Sequence, residues 1–133
     1  MIDQKILKIA SDTSNYGLKK KFTHYASQKN KMCGDRISLE IKTNKNKIEK
    51  ISYETESCIF CQASASIIAD KFKNLNLQTL KKDIILLKEL SNNINFKIPT
   101  RYKQFKYLIK KKYKNRINCV MLPLNTLSKA LKI

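Results

Sequence analysis

The amino-acid sequence predicts an α+β fold, in which helices pack against a small antiparallel sheet. Two observations lead to this prediction. Apolar and polar side chains alternate through residues 36–55, which is typical of half-buried strands, and from Ile59 onward apolar side chains recur at helical spacing. The 133 residues contain no internal repeat or linker, so we expect one domain spanning residues 1–133.

The segments before Cys33 carry weaker signals. They are predicted, in chain order, as a short amphipathic helix (1–10), a polar turn (11–17), an edge strand (19–26) and a polar loop (27–32). The helix rests on the spacing of Ile6 and Ile9, and the edge strand on Phe22 and Tyr25. The loop leads directly to Cys33.

A β-hairpin is the clearest local prediction. Ile37, Leu39 and Ile41 alternate with polar residues, residues 43–47 have the composition of a turn, and a second apolar alternation follows through residues 48–55. Because the two ends of a hairpin lie side by side, Cys33 and Asp35 should come close to Cys58.

The second half of the chain is predicted to be helical. The expected helices span 59–72, 77–90 and Pro99 to about Tyr113, and after a connector at 116–122 the last helix begins at Pro123 and ends at Leu131. Cys119 would lie in that connector. Cys61 lies on the apolar stripe of the first of these helices, so we expect it to be a core residue.

The composition is strongly basic, with 28 Lys and Arg against 10 Asp and Glu and a formal net charge of +18. Only Arg36, Arg101 and Arg116 are arginines, whereas base recognition favours the arginine fork. We therefore interpret the charge mainly as solvated surface and keep an acidic protein partner as the second option. A nucleic-acid partner is not expected. No apolar stretch reaches membrane-spanning length and no signal-peptide pattern is present, so we expect a cytoplasmic protein without a membrane partner.

Three cysteines and one aspartate form the candidate site. Cys33 and Asp35 are separated by Gly34, whose conformational freedom permits a sharp turn. Cys58 lies where a strand gives way to a helix, a position that lowers thiol pKa values, and Cys119 precedes another helix. Three thiolates and one oxygen ligand suit tetrahedral Zn²⁺ or an iron–sulfur centre, and the weaker carboxylate ligand would make that centre labile.

Other polar and cysteine residues of the chain have simpler interpretations. Cys58 and Cys61 have the spacing of a redox pair, but the βαβ context of a redox motif is missing. His24, the only histidine, is expected to be a surface or packing residue, and the run 110–112 to be a solvated helix end.

Three motifs resemble the NifU N-terminal/IscU/SufU family of iron–sulfur assembly proteins. They are Cys33-Gly34-Asp35-Arg36-Ile37, Cys58 followed by Ala63-Ser64-Ala65-Ser66, and Arg116-Ile117-Asn118-Cys119-Val120-Met121-Leu122-Pro123. The resemblance implies a three-stranded antiparallel sheet with helices on one side, the SufE/NifU-like fold. It also implies that Cys33, Asp35, Cys58 and Cys119 hold Zn²⁺ or a transient [2Fe-2S] cluster.

The activity implied by the resemblance is the acceptance of sulfur from a cysteine desulfurase, with Cys119 as acceptor and Asp35 as the labile ligand that permits release. Apo iron–sulfur acceptor proteins or downstream assembly factors would be the other partners. The chain resembles the SufU branch for two reasons. Asn118 replaces a histidine found in IscU types, and the stretch between Cys58 and Cys119 is longer than in IscU types. A SufS-like desulfurase is then expected. The protein would be an assembly scaffold rather than an enzyme, unless it acts as a zinc-dependent sulfurtransferase.

Two alternatives from other classes remain at this point. One is a basic nucleic-acid-binding module with a structural zinc, whose binding would fall steeply with salt. The other is a purely structural zinc protein, which would unfold when the metal is removed.

Overall fold

The computed structural model describes residues 3–31, 34–93 and 95–133. The helices and strands within these ranges are α1 (Gln4–Ala10), β1 (His24–Lys29), β2 (Arg36–Asn44), β3 (Lys47–Glu56), α2 (Ile59–Lys71), α3 (Leu77–Lys88) and α4 (Ile117–Leu131). Between α3 and α4 the chain forms 3₁₀ segments at Glu89–Ser91, Thr100–Tyr107 and Lys111–Arg116. The α+β fold class predicted from the sequence is confirmed.

The three strands form one antiparallel sheet in the order β1-β2-β3. Ile37, Leu39 and Ile41 of β2 are fully buried on one face, as their period-two spacing predicted. Lys45 and Asn46 join β2 to β3 with φ angles of 53° and 62°, the left-handed backbone of a type I′ hairpin turn. The hairpin prediction is therefore confirmed.

The edge strand β1 lies later in the chain than predicted. It extends through Lys29, because the backbone of Ser27, Gln28 and Lys29 pairs with β2, while residues 19–23 precede it. Among its residues only Ala26 is buried, so the strand has almost no apolar alternation for a sequence pattern to detect.

Helices α2 and α4 cover the buried face of the sheet, α2 against β3 and α4 against β1 and β2. Small side chains let the two helices pack closely against each other: Ala63 and Ser64 of α2 are fully buried, and the Ser64 hydroxyl donates a 2.6 Å hydrogen bond to the Val120 carbonyl of α4. This bond fixes α4 relative to α2 one residue after Cys119.

The single helix predicted from Pro99 to about Tyr113 is wrong. Two 3₁₀ segments occupy this region, and Lys110 between them has an extended backbone. The physical reason lies in the apolar spacing: Tyr102, Phe105 and Leu108 are buried at intervals of three, which matches three residues per turn.

The start of the last helix is also earlier than predicted. Helix α4 begins at Ile117, so Cys119 lies in its first turn and Pro123 lies inside the helix. Pro123 has no N–H for the bond to the Cys119 carbonyl four residues before it. The fully buried side chains of Val120, Leu124 and Leu127 offset this cost by packing into the core.

Candidate metal centre

The candidate site forms where the ends of four elements meet. Asp35 immediately precedes β2, Cys58 is the N-cap residue of α2 just after β3, and Cys119 lies in the first turn of α4. Because Arg36 pairs with Glu56 in the hairpin, the residues just outside that pair become neighbours. The fold thus brings together residues that are 23 and 61 positions apart in the sequence.

A carboxylate oxygen of Asp35 and the Sγ atoms of Cys58 and Cys119 all lie within 4.8 Å of one another. Within the ranges that the structure describes, these three residues are the group of histidine, cysteine and acidic side chains whose ligand atoms lie close enough together to hold one metal ion. Asp35 and Cys119 are buried, and Cys58 is half-buried. The cluster therefore reaches the surface through Cys58.

Cys33, the fourth candidate ligand, lies outside the described residues. Its neighbour Gly34 has a φ of +76°, so the sharp turn predicted for this glycine is present. The Gly34 N–H donates to the Asn30 carbonyl and the Asn30 N–H donates to the Asp35 carbonyl, both at 2.7 Å. These two bonds hold the backbone on which Asp35 is mounted.

Asp35 contacts Cys58 through both of its oxygens. The Cys58 backbone N–H donates to Oδ1 at 3.0 Å, and the Cys58 thiol donates to Oδ2 at 3.2 Å. Helix α2 has no acidic residue in its own first turn, so Asp35 provides the negative charge at the positive end of this helix.

The pKa of the Cys58 thiol is raised rather than lowered. Burial is the main cause and the hydrogen bond to Asp35 adds to it, while the backbone N–H of Cys61 acts in the opposite direction. The sequence predicted a lowered pKa from the helix N-terminus; that prediction is wrong because burial outweighs the helix contribution.

Cys61 is fully buried and does not belong to the three-residue group, in agreement with the prediction of a core residue. Burial raises the pKa of its thiol to about 12. His24 is half-buried on β1, where its Nδ1 lies 2.9 Å from the Thr23 hydroxyl, and it is also outside the group.

Sequence patterns did not indicate the hydroxyl contacts that close the hairpin beneath the site. Thr55 Oγ1 donates to the Arg36 carbonyl at 2.6 Å and lies 2.6 Å from Ser57 Oγ. These bonds set the spacing between the strand ends that carry Asp35 and Cys58. Threonine and serine are common in strands and turns, so no pattern singles them out.

In the described part of the chain, no helix is long and apolar enough to cross a membrane.

Comparison with known proteins gives one family and a consistent fold. Residues 1–119 match the family model of the NifU-like N terminal domain, a range that contains all four candidate ligands. The iron–sulfur cluster assembly scaffold protein IscU of Thermotoga maritima is 27% identical over 133 residues, which cover 99% of this chain and 93% of that protein.

Two crystal structures share the fold at 20% identity, each with a TM-score of 0.85. One is a nitrogen-fixing NifU-like protein (N-terminal) from Brucella abortus, with 98% of this chain and 91% of that chain covered. The other is a putative iron–sulfur cluster assembly scaffold protein for the SUF system from Fervidobacterium islandicum AW-1, with 97% and 95% covered.

Proposed function

This chain belongs to the family of the NifU-like N terminal domain, and on that basis we propose that it is an iron–sulfur cluster assembly scaffold. It accepts sulfur from a cysteine desulfurase and assembles or relays that sulfur as a labile cluster. The curated relative from Thermotoga maritima carries the name of such a scaffold, which supports the proposal.

The observation that carries the proposal is the convergence of Asp35, Cys58 and Cys119 within 4.8 Å. Cys33, joined to Asp35 through Gly34, is the proposed fourth ligand. Thiolates select zinc and iron–sulfur centres over hard cations such as magnesium, so the donor set fits the proposed cargo.

Each proposed ligand has a separate role. Zn²⁺ bound by these residues would keep the cysteines deprotonated, and its bonds to the sulfur atoms would shield them from oxidation until the sulfur donor arrives. A [2Fe-2S] cluster held by the same residues is cargo, which must leave again. Asp35 is the weaker ligand for soft iron–sulfur chemistry and is therefore the position at which release begins.

Cys119 is the proposed sulfur acceptor. Its thiolate attacks the terminal sulfur of the desulfurase persulfide, the S–S bond of the donor breaks, and the donor cysteine leaves as a thiolate. Cys119 then carries the persulfide. Only 3% of Cys119 is exposed, so the donor reaches it only after the thiol moves out of the cluster. Cys58 is the more exposed thiol and is the natural competitor for this role.

The proposed partners are a SufS-like desulfurase on the supply side and apo iron–sulfur acceptor proteins on the delivery side. The structural likeness to the scaffold protein for the SUF system supports the choice of a SufS-like donor. The stretch between Cys58 and Cys119, which is longer than in IscU types, agrees with that choice.

The test is a sulfur-transfer assay with the purified desulfurase, L-cysteine and this protein, followed by mass spectrometry of the cysteine-containing peptides. We expect one added sulfur atom on Cys119. The Cys119→Ala variant should accept no sulfur, and the Cys61→Ala variant, which removes a thiol outside the site, should accept it as the wild type does. Undiminished acceptance by Cys119→Ala would contradict the proposed role, and transfer to Cys58 instead would identify that thiol as the acceptor.

A further inference from the structure

One surface of the protein is strongly basic. Residues 97–116, here called the basic strap, contain no acidic residue and nine basic ones: Lys97, Arg101, Lys103, Lys106, Lys110, Lys111, Lys112, Lys114 and Arg116. All nine side chains are exposed. The strap comprises the last two 3₁₀ segments and the residues that flank them.

The charge of the strap exceeds the general lysine enrichment of the chain. The strap holds nine of the 28 basic residues and none of the 10 acidic ones, although it makes up only 20 of the 133 residues. No acidic residue occurs anywhere from Leu90 to Ile133. A uniformly solvated lysine surface would interleave both signs, so this distribution requires its own explanation.

The strap is anchored firmly to the core. The side chains of Tyr102, Phe105 and Leu108 are at most 1% exposed, and the Tyr102 hydroxyl donates a hydrogen bond to the carboxylate of Asp83 on α3. The lysines between these anchors consequently point outward from a fixed backbone. A partner that binds these lysines therefore does not have to order the backbone that carries them.

Little of this charge is neutralised within the protein. In the ranges that the structure describes, ion pairs reach the strap only from Asp3, which lies 2.6 Å from Lys110 Nζ and 3.8 Å from Lys112 Nζ. Lys103, Lys106, Lys111, Lys114 and both arginines form no ion pair there. Their charges remain available to a partner.

The strap ends at the candidate metal centre. The ring of Tyr113 packs edge-to-face on Phe60 at a centroid distance of 4.9 Å, and Phe60 lies two residues after Cys58. At its other boundary, Arg116 directly precedes α4, whose first turn holds Cys119. A partner seated on the part of the strap around Tyr113 and Arg116 would therefore lie beside the thiols, whereas Arg101 and Lys103 line a pocket with Lys71 at the far end of α2.

The chemistry of the strap favours a protein partner over a nucleic acid. Proteins that bind single-stranded nucleic acids typically combine a basic groove with aromatic side chains on which bases stack. The accessible ring of the strap is that of the half-buried Tyr107. The ammonium groups of Lys5 and Lys106 already lie over this ring, 4.7 and 5.2 Å from its centroid. Seven of the nine cations are lysines, which lack the planar fork that arginine uses to recognise phosphates and nucleic acids.

We propose that the basic strap is the docking surface for an acidic face of the cysteine desulfurase that delivers sulfur to this site. The inference rests on the proposed function, because it names the partner of the same site. Complementary charge of this kind speeds encounter and sets orientation, and its effect weakens as salt screens it.

The experiment compares two variants with the same change in charge. The strap variant combines Lys103→Glu, Lys111→Glu and Lys114→Glu. The matched control combines Lys21→Glu, Lys45→Glu and Lys47→Glu. Lys45 and Lys47 are at the hairpin turn and Lys21 precedes β1, so these exposed residues lie at the opposite end of the sheet from Asp35. Binding to the purified desulfurase is measured by biolayer interferometry at about 50 mM salt, where charges are weakly screened, and at about 300 mM salt, where they are strongly screened. Sulfur transfer is measured on the same samples.

We expect the Kd of the strap variant to rise at least about tenfold at low salt and its salt dependence to flatten, while the control stays within about threefold of wild type. In sulfur transfer the strap variant should show a raised KM and a kcat close to wild type, because the thiols are untouched. Strap-variant binding equal to wild type, equal weakening of both variants, or no binding of the wild-type protein would each overturn the proposal.

Two further outcomes separate this proposal from its neighbours. Wild-type binding that depends on the strap but is followed by no sulfur transfer would contradict the proposed function and leave the docking surface supported. A single-stranded RNA probe that binds at about 150 mM salt and is released by the strap variant, with desulfurase binding unaffected, would reassign the strap to nucleic acid.

Discussion

Asp35 accepts two hydrogen bonds from the same residue, Cys58: one from its backbone N–H at 3.0 Å and one from its thiol at 3.2 Å. The first bond satisfies a donor at the start of α2, and the second connects the carboxylate to a proposed metal ligand. One side chain therefore stabilises the fold at the site and takes part in the proposed chemistry. The two contributions can be separated by substitution.

The Asp35→Ala variant should lower the free energy of unfolding of the metal-free protein by about 1 kcal/mol, because the Cys58 N–H loses its acceptor at the helix N-terminus. Urea denaturation in the presence of a chelator measures this. The Asp35→Asn variant is the matched control, since its amide oxygen can still accept from the N–H and should restore most of the loss. Equal stability of Asp35→Ala and wild type would show that the bond contributes nothing.

The same Asp35→Ala variant should hold a bound cluster longer, because the weak oxygen ligand at which release begins is gone. We expect cluster transfer to an apo-ferredoxin, followed by visible circular dichroism, to be clearly slower than with wild type. If the variant transfers its cluster as fast as wild type, Asp35 is not the release ligand.

Cys61 should make the protein less stable at alkaline pH. Its pKa is raised to about 12 in the folded chain, whereas an unfolded cysteine ionises near pH 8.5. Above that pH the unfolded state loses a proton that the folded state keeps, so the free energy of unfolding falls as pH rises. Between about pH 9 and 11 the wild type should lose up to about 1.4 kcal/mol per pH unit more than Cys61→Ala. Parallel urea-derived stability curves for the two proteins would contradict the raised pKa.

The hairpin and its consequence for the site could be predicted from sequence because their signals are local. Ile37, Leu39 and Ile41 have the period of a strand, and an antiparallel hairpin necessarily brings its two ends together. The proximity of Asp35 to Cys58 followed from that geometry alone. The proximity of Cys119 depends on how α4 packs against α2 and the sheet, which no local pattern specifies. Only the ligand chemistry of the cysteines and the family resemblance pointed to it.

The two incorrect helix predictions, at 99–113 and at the start of α4, concern segments in which two patterns compete. Tyr102, Phe105 and Leu108 have a spacing of three, which differs from helical spacing by a fraction of a residue per turn and is difficult to recognise over eight residues. Proline is common in the first turn of a helix, so the local sequence predicts a helix start at Pro123. The burial of α4 on both sides of Pro123 cannot be read from the local sequence. In both cases tertiary packing overrides the local preference.

The anchoring of the strap gives a stability prediction. Phe105 is fully buried, so Phe105→Ala should lower the free energy of unfolding by about 3–5 kcal/mol through lost burial and the cavity that remains. Lys103→Ala, two residues away and exposed, should change it by less than about 0.5 kcal/mol. Chemical denaturation measures both. A small effect of Phe105→Ala would mean that the strap is not held by the core.

The most direct test of the proposed centre is the content of zinc, iron and acid-labile sulfide per chain after anaerobic purification, together with the visible spectrum. We predict about one bound Zn²⁺ without colour, or stoichiometric iron and sulfide with charge-transfer bands. In either case the bound metal should be lost from the Cys33→Ala, Cys58→Ala and Cys119→Ala variants and retained by Cys61→Ala. Wild-type protein free of zinc, iron and sulfide, or a Cys58→Ala variant with undiminished metal, would contradict the proposed centre.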